Sequence, residues 1–146
     1  MFLLQYNAHH KVYNFISGHF DPEKDSDFLA AMVREVEEEL PGLRYQKDFT
    51  VYPISDEPFT AIHFSARYKV DTKYEFHLFQ FQFLKTPSAY SYLWVENTNN
   101  KWFSLDEILK GQGNKGEPVS TFPIIDLHAF LEGGFAALPL SYPLNT

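Results

Sequence analysis

Residues 17–43, SGHFDPEKDSDFLAAMVREVEEELPGL, constrain this chain more than any other stretch. They read as a glycine-bearing loop followed by an amphipathic helix. Leu29, Met32, Val33, Val36 and Leu40 recur at helical spacing and form one apolar stripe. Asp25 or Ser26 stands where a helix cap is expected, because a short side-chain oxygen can accept from a free first-turn amide. Glu35, Glu38 and Glu39 share a second face, about 130° from the centre of the stripe. Like charges on neighbouring turns repel unless a cation sits among them, and hard carboxylate oxygens at this spacing suit Mg²⁺ or Mn²⁺. The plainer reading is a solvated acidic surface, with Arg34 paired to its neighbours.

The rest of the composition narrows the class. A chain of 146 residues fits one domain, 1–146, with room for a substantial core. Its 15 Phe and 9 Tyr favour a β-rich interior. A net charge of −7 and the lack of a basic stripe argue against a nucleic-acid partner, though not against a phosphorylated small molecule held through a divalent metal. With no cysteine, disulfides, thiolate zinc sites and thiol nucleophiles are excluded. No apolar run is long enough to span a bilayer, and the start Met1-Phe2-Leu3-Leu4 lacks the flanks of a signal peptide. The expectation is a cytoplasmic protein without a membrane partner.

Taken in order, residues 2–6 predict a short buried strand, and His9 and His10 a polar loop. The chain must turn at Ser17-Gly18, where glycine permits close backbone approach. Asp21 is either a turn residue before Pro22 or an assistant to metal binding through water. Residues 49–54 predict a strand. Ile62, Phe64, Ala66, Tyr68 and Val70 alternate with polar residues, predicting a long strand with that set buried and a turn at 71–73. Residues 74–83 continue as a strand whose apolar phase slips at Leu78-Phe79, the mark of a bulge or of a strand covered on both faces. His63 and His77 fall opposite the apolar positions and read as solvent-facing or hydrogen-bonded residues. Leu93, Trp94 and Val95 predict a short strand ending at Glu96. Ser104 and Glu107 predict a capping box on a short helix, residues 110–118 a flexible connection, and residues 122–131 a last helix.

The order Gly18, Arg34-Glu35-Val36, Glu38-Glu39, Gly42-Leu43 resembles the signature of Nudix hydrolases, G-x5-E-x7-R-E-U-x-E-E-x-G-U, with U aliphatic. The loop before Arg34 is two residues longer than in that signature, its glutamate falls on Lys24 or Ser26, and Pro41 places the closing glycine one position late. A second landmark, Trp102-Phe103-Ser104-Leu105-Asp106-Glu107, resembles the tryptophan strand and capped short helix of the same family. The resemblance covers about residues 2–132. The resemblance implies an α+β Nudix fold, a mixed β-sheet sandwiched between α-helices, with a strand ahead of Phe2 either missing or supplied by a longer parent chain. It also implies hydrolysis of a nucleoside diphosphate linked to another moiety. Glu35, Glu38 and Glu39 would hold Mg²⁺ or Mn²⁺, and Arg34 would position Glu35 or the loop. Gly18 and His19 would lie against the diphosphate, with Glu38 or Glu96 as general base. The partner expected is a small-molecule nucleoside diphosphate derivative, and a homodimer is left open. Two other readings stand beside this one: a catalytically impaired Nudix-like module binding a nucleotide or a protein, and a structural αβ domain with an incidental acidic helix.

Overall fold

The computed structural model describes residues 1–53, 58–65, 67–95 and 99–120. In chain order it contains β1 (Phe2–Asn7), β2 (Val12–Asn14), α1 (Phe28–Glu39), β3 (Phe49–Pro53), β4 (Phe59–Ser65), β5 (Val70–Phe76) and β6 (Phe79–Phe83). A 3₁₀ helix (Pro87–Leu93), β7 (Asn100–Phe103) and α2 (Leu105–Lys110) follow. The class is α+β. The named strands form three small antiparallel sheets, β2-β1-β7, β3-β6 and β4-β5, where a single mixed sheet was expected.

α1 forms where its periodicity places it, and its stripe faces the larger core. Val36 and Leu40 are buried beside Leu43, Phe49, Val51, Phe83, Tyr90 and Leu93, while Leu29, Met32 and Val33 pack against them. The cap is Asp27, not Asp25 or Ser26: its Oδ1 accepts the Ala30 amide at 2.7 Å. Asp25 is withdrawn from capping because it is bound elsewhere, as described below. The helix stops before Pro41, which disfavours helical backbone in the residue ahead of it. Gly42 then takes φ 90°, and a Cβ there would meet the Tyr92 hydroxyl at 2.9 Å. That hydroxyl donates to the Pro41 carbonyl.

A second core of Leu4, Phe103, Ile108 and Val119 lies beneath β1, β7 and α2. Ser104 and Glu107 make the expected capping box, and α2 ends at Gly111 in the left-handed region. The following loop is not a flexible connection. Glu107 accepts the Asn114 amide, Glu117 accepts the Lys115 amide, and Val119 donates back to the Gly111 carbonyl. The two Glu107 oxygens therefore serve the helix start and the loop together.

The central strands depart from the reading of the sequence. The chain turns between Ser65 and Val70, not at 71–73. Lys69 has φ 56°, its amide donates to the Ser65 carbonyl at 2.7 Å, and the Tyr68 amide donates to Ser65 Oγ. Asp71, Thr72 and Lys73 are paired inside β5 with Phe64, His63 and Ile62. Apolar alternation persists through a tight turn, so it cannot separate one long strand from two short ones. Ile62 and Phe64, expected in the core, are 71% and 67% exposed, and Tyr68 and Val70 are exposed with them. Ala66 lies outside the described residues. The phase slip at Leu78-Phe79 is a full break: β5 pairs with β4, and β6 pairs with β3. Leu93 closes the 3₁₀ helix that Pro87 opens, and no strand forms at 93–95. The expected helix at 122–131 lies outside the described residues. Among those described, no helix is long and apolar enough to cross a membrane.

Candidate functional site

The loop from Gly18 to Asp27 lies against α1 because Arg34 ties it there. Its guanidinium grips Asp25 with two bonds, Nε to Oδ1 and Nη2 to Oδ2, both 2.9 Å. Nη2 also donates to the His19 carbonyl at 3.2 Å, and Nη1 to Glu35 Oε1 at 2.8 Å. Planar, forked donors of this kind hold a carboxylate in a fixed orientation. Asp25 is buried and takes the Asp21 amide as well. The Arg34 side chain, opposed by burial and assisted by the Asp21 amide, holds the Asp25 carboxyl down at about 2. The Arg34 guanidinium is in turn raised above its ordinary value, chiefly by Asp25. Asp21 behaves as a turn residue: its carbonyl accepts the Lys24 and Asp25 amides and its Oδ1 the Glu23 amide.

Gly18 meets the site in a way the sequence did not disclose. A Cβ built there would fall inside the Glu35 carboxyl group, so the glycine makes room for Glu35. The Glu35 side chain is accordingly only 14% exposed, whereas that of Glu38 is 57% exposed. Glu38 Oε2 lies 3.6 Å from Arg34 Nη1, and Glu39 is exposed. His19 is exposed and contributes its carbonyl to the Arg34 network. An open groove runs along the flank of α1, bordered by Asp27, Leu29, Val33, Arg34, Glu38 and Tyr45.

The structure thus brings together Gly18, His19, Arg34, Glu35 and, at longer range, Glu38. Glu39 makes no side-chain contact with this group, and Glu96 lies outside the described residues. Among the described residues no three His, Asp or Glu side chains are grouped to hold a metal ion. The residue types nevertheless suit a hard divalent ion: three carboxylates, Glu35, Glu38 and Glu39, lie on one face of α1, the latter two exposed. In the observed arrangement the cation beside Glu35 and Glu38 is the Arg34 guanidinium.

Asp25 is the residue the sequence reading misplaced. It sits between Lys24 and Ser26, the two positions on which the lengthened loop lets the motif glutamate fall. A carboxylate flanked by those two positions, nine residues ahead of an arginine on the helix, was the available signal. Comparison with known proteins leaves the site to stand on its geometry: no family model, curated protein or solved structure matches the chain.

Proposed function

We propose that this protein is a metal-dependent hydrolase of the Nudix type, cleaving a nucleoside diphosphate linked to another moiety. The observation that carries the reading is the packing of the Glu35 carboxyl onto Gly18 while Arg34 fastens the same loop through Asp25 and His19. A solvated acidic surface requires neither a missing side chain at Gly18 nor a buried carboxylate at Asp25. The finer fold belongs to the same proposal, a Nudix arrangement in which α1 covers one face of the sheet.

Glu35, Glu38 and Glu39 would hold Mg²⁺ or Mn²⁺, which when bound neutralises diphosphate charge and lowers the pKa of water. Arg34 does not touch substrate in this reading; it fixes the loop and orients Glu35. Gly18 and His19 present the loop backbone to the diphosphate. In the reaction a water oxygen forms a bond to phosphorus, a phosphoanhydride P–O bond breaks, and the departing phosphate keeps the electron pair. Glu38, or Glu96, takes the proton of the attacking water.

The test is release of nucleoside monophosphate or phosphate from ADP-ribose, NADH, sugar nucleotides, dinucleoside polyphosphates and nucleoside triphosphates. Each is incubated with Mg²⁺, with Mn²⁺ and with EDTA. Metal-dependent turnover of one class is expected, with its loss in Glu38→Gln and no change in melting temperature. Full activity in Glu38→Gln would remove the metal-site assignment. One observation favours a second reading, a nucleotide- or protein-binding module without catalysis: Arg34 already supplies the cation beside Glu35 and Glu38. Silence across the panel with metal binding shown by calorimetry would select that module. Silence without metal binding would leave an acidic surface.

A further inference from the structure

Phe28 opens α1, and its ring meets that of Phe20 at a centroid distance of 4.7 Å with the planes tilted by 36°. Phe20 and Phe28 are 37% and 41% exposed, so burial alone does not account for two large rings at the junction of the loop and α1. Phe28 also stacks on the His77 imidazole, centroids 3.6 Å apart and planes within 11°. His77 stands between β5 and β6, so three separate segments converge on one aromatic array. Its sequence position suggested a solvent-facing or hydrogen-bonded strand residue; it lies between the strands, partly buried, with Nε2 buried and without a hydrogen-bond partner. An unfilled polar atom of this kind carries a desolvation cost that a partner would remove.

The array adjoins the carboxylate site. Phe28 and Glu35 are seven residues apart on α1 and therefore share a face, about 10 Å apart along the axis. Phe20 directly follows His19, whose carbonyl Arg34 holds. A ligand with its diphosphate at Glu35 and a flat ring one nucleoside away would bring that ring to Phe28.

We infer that Phe20 is the platform on which the nucleobase of the substrate stacks, with Phe28, itself stacked on His77, backing it from behind. This rests on the hydrolase reading above, deepening it by assigning base recognition to residues outside the motif. Stacking on a phenylalanine tolerates any base, because every base offers a π face.

The test is calorimetry with the non-cleavable α,β-methylene ADP and with methylene diphosphonate, which lacks the nucleoside, each with Mg²⁺. Wild type, Phe20→Leu and Phe28→Leu are compared; leucine keeps apolar bulk and removes the π face. Phe20→Leu should weaken the nucleotide roughly tenfold, Phe28→Leu less, and both should leave the diphosphonate unchanged. Unchanged nucleotide affinity in Phe20→Leu would overturn the inference, as would equal weakening of both ligands, which would mean the rings only shape the loop. Wild type binding the nucleotide no more tightly than the diphosphonate would overturn it too. If Phe28→Leu unfolds, the exposed Phe20 decides. Metal-dependent turnover with KM unmoved in these variants sinks the platform alone. Ring-dependent nucleotide binding without turnover sinks the hydrolase alone.

Discussion

Arg34 has donors on all three guanidinium nitrogens engaged, and its partners lie on both sides of the loop–helix junction. Asp25, the buried member, has the more to lose from a broken pair, since a buried carboxylate without its cation is strongly disfavoured. Its folded value of about 2 lies below the ordinary value of about 3.9. The sign follows: the folded state binds the proton less readily, so the stabilisation is complete above about pH 4 and is lost as pH falls towards 2. Thermal melts of the wild type should fall across that window more steeply than those of Asp25→Asn; parallel curves would show that the carboxylate contributes nothing. Gly18→Ala tests the same junction from the loop. The Glu35 carboxyl is the far end of a flexible side chain, so the new methyl should displace it from Arg34 without unfolding the domain. The expected outcome is reduced metal affinity by calorimetry with a melting temperature lowered by only a few degrees, on the order of 1 kcal/mol. An unchanged metal affinity would separate Gly18 from the site.

The α-helices among the described residues, α1 and α2, were the most legible elements, because their signals are local. Val36 is 2% exposed in the centre of the stripe, and Val36→Asp would place a charge where no partner exists. That variant should fail to fold, with loss of the cooperative melt; a normal transition would overturn the facing of α1. The capping box of α2 was readable for the same reason, Ser104 and Glu107 being three residues apart with both reciprocal bonds formed. Ser104→Ala should cost about 1 kcal/mol in urea unfolding, and Glu107→Ala more, because Glu107 also secures the Asn114 amide. Equal losses would mean that the loop bond adds nothing. The cap of α1 was misread because three candidate oxygens, Asp25, Ser26 and Asp27, stand in a row. Asp25 is removed from the choice by Arg34, a residue nine positions away, and no local rule sees that.

Pairing between strands depends on contacts far apart in sequence, and there the reading of the chain gave way. The alternation at Ile62, Phe64, Tyr68 and Val70 was real, but its face is solvent, and the break at His77-Leu78 moves β6 from the β4 hairpin to β3. The candidate site was legible in its charged residues and not in its fastenings: Glu35 and Arg34 stand out by spacing, whereas the Gly18–Glu35 contact and the Asp25 grip exist only once the loop has folded back. The β4-β5 hairpin exposes Ile62, Phe64 and Val70 together, and each of its strands pairs, among the described residues, only with the other. Side chains that touch little contribute little, so Ile62→Thr with Phe64→Thr should change stability by no more than about 0.5 kcal/mol, threonine retaining a preference for strands. Phe49→Ala, in the core, should instead cost about 3–5 kcal/mol. Because exposed apolar strand edges promote association, the double variant should also stay monodisperse to higher concentration in light scattering. A large loss of stability in the double variant, dependent on protein concentration, would show instead that Ile62 and Phe64 are covered in solution by a second copy.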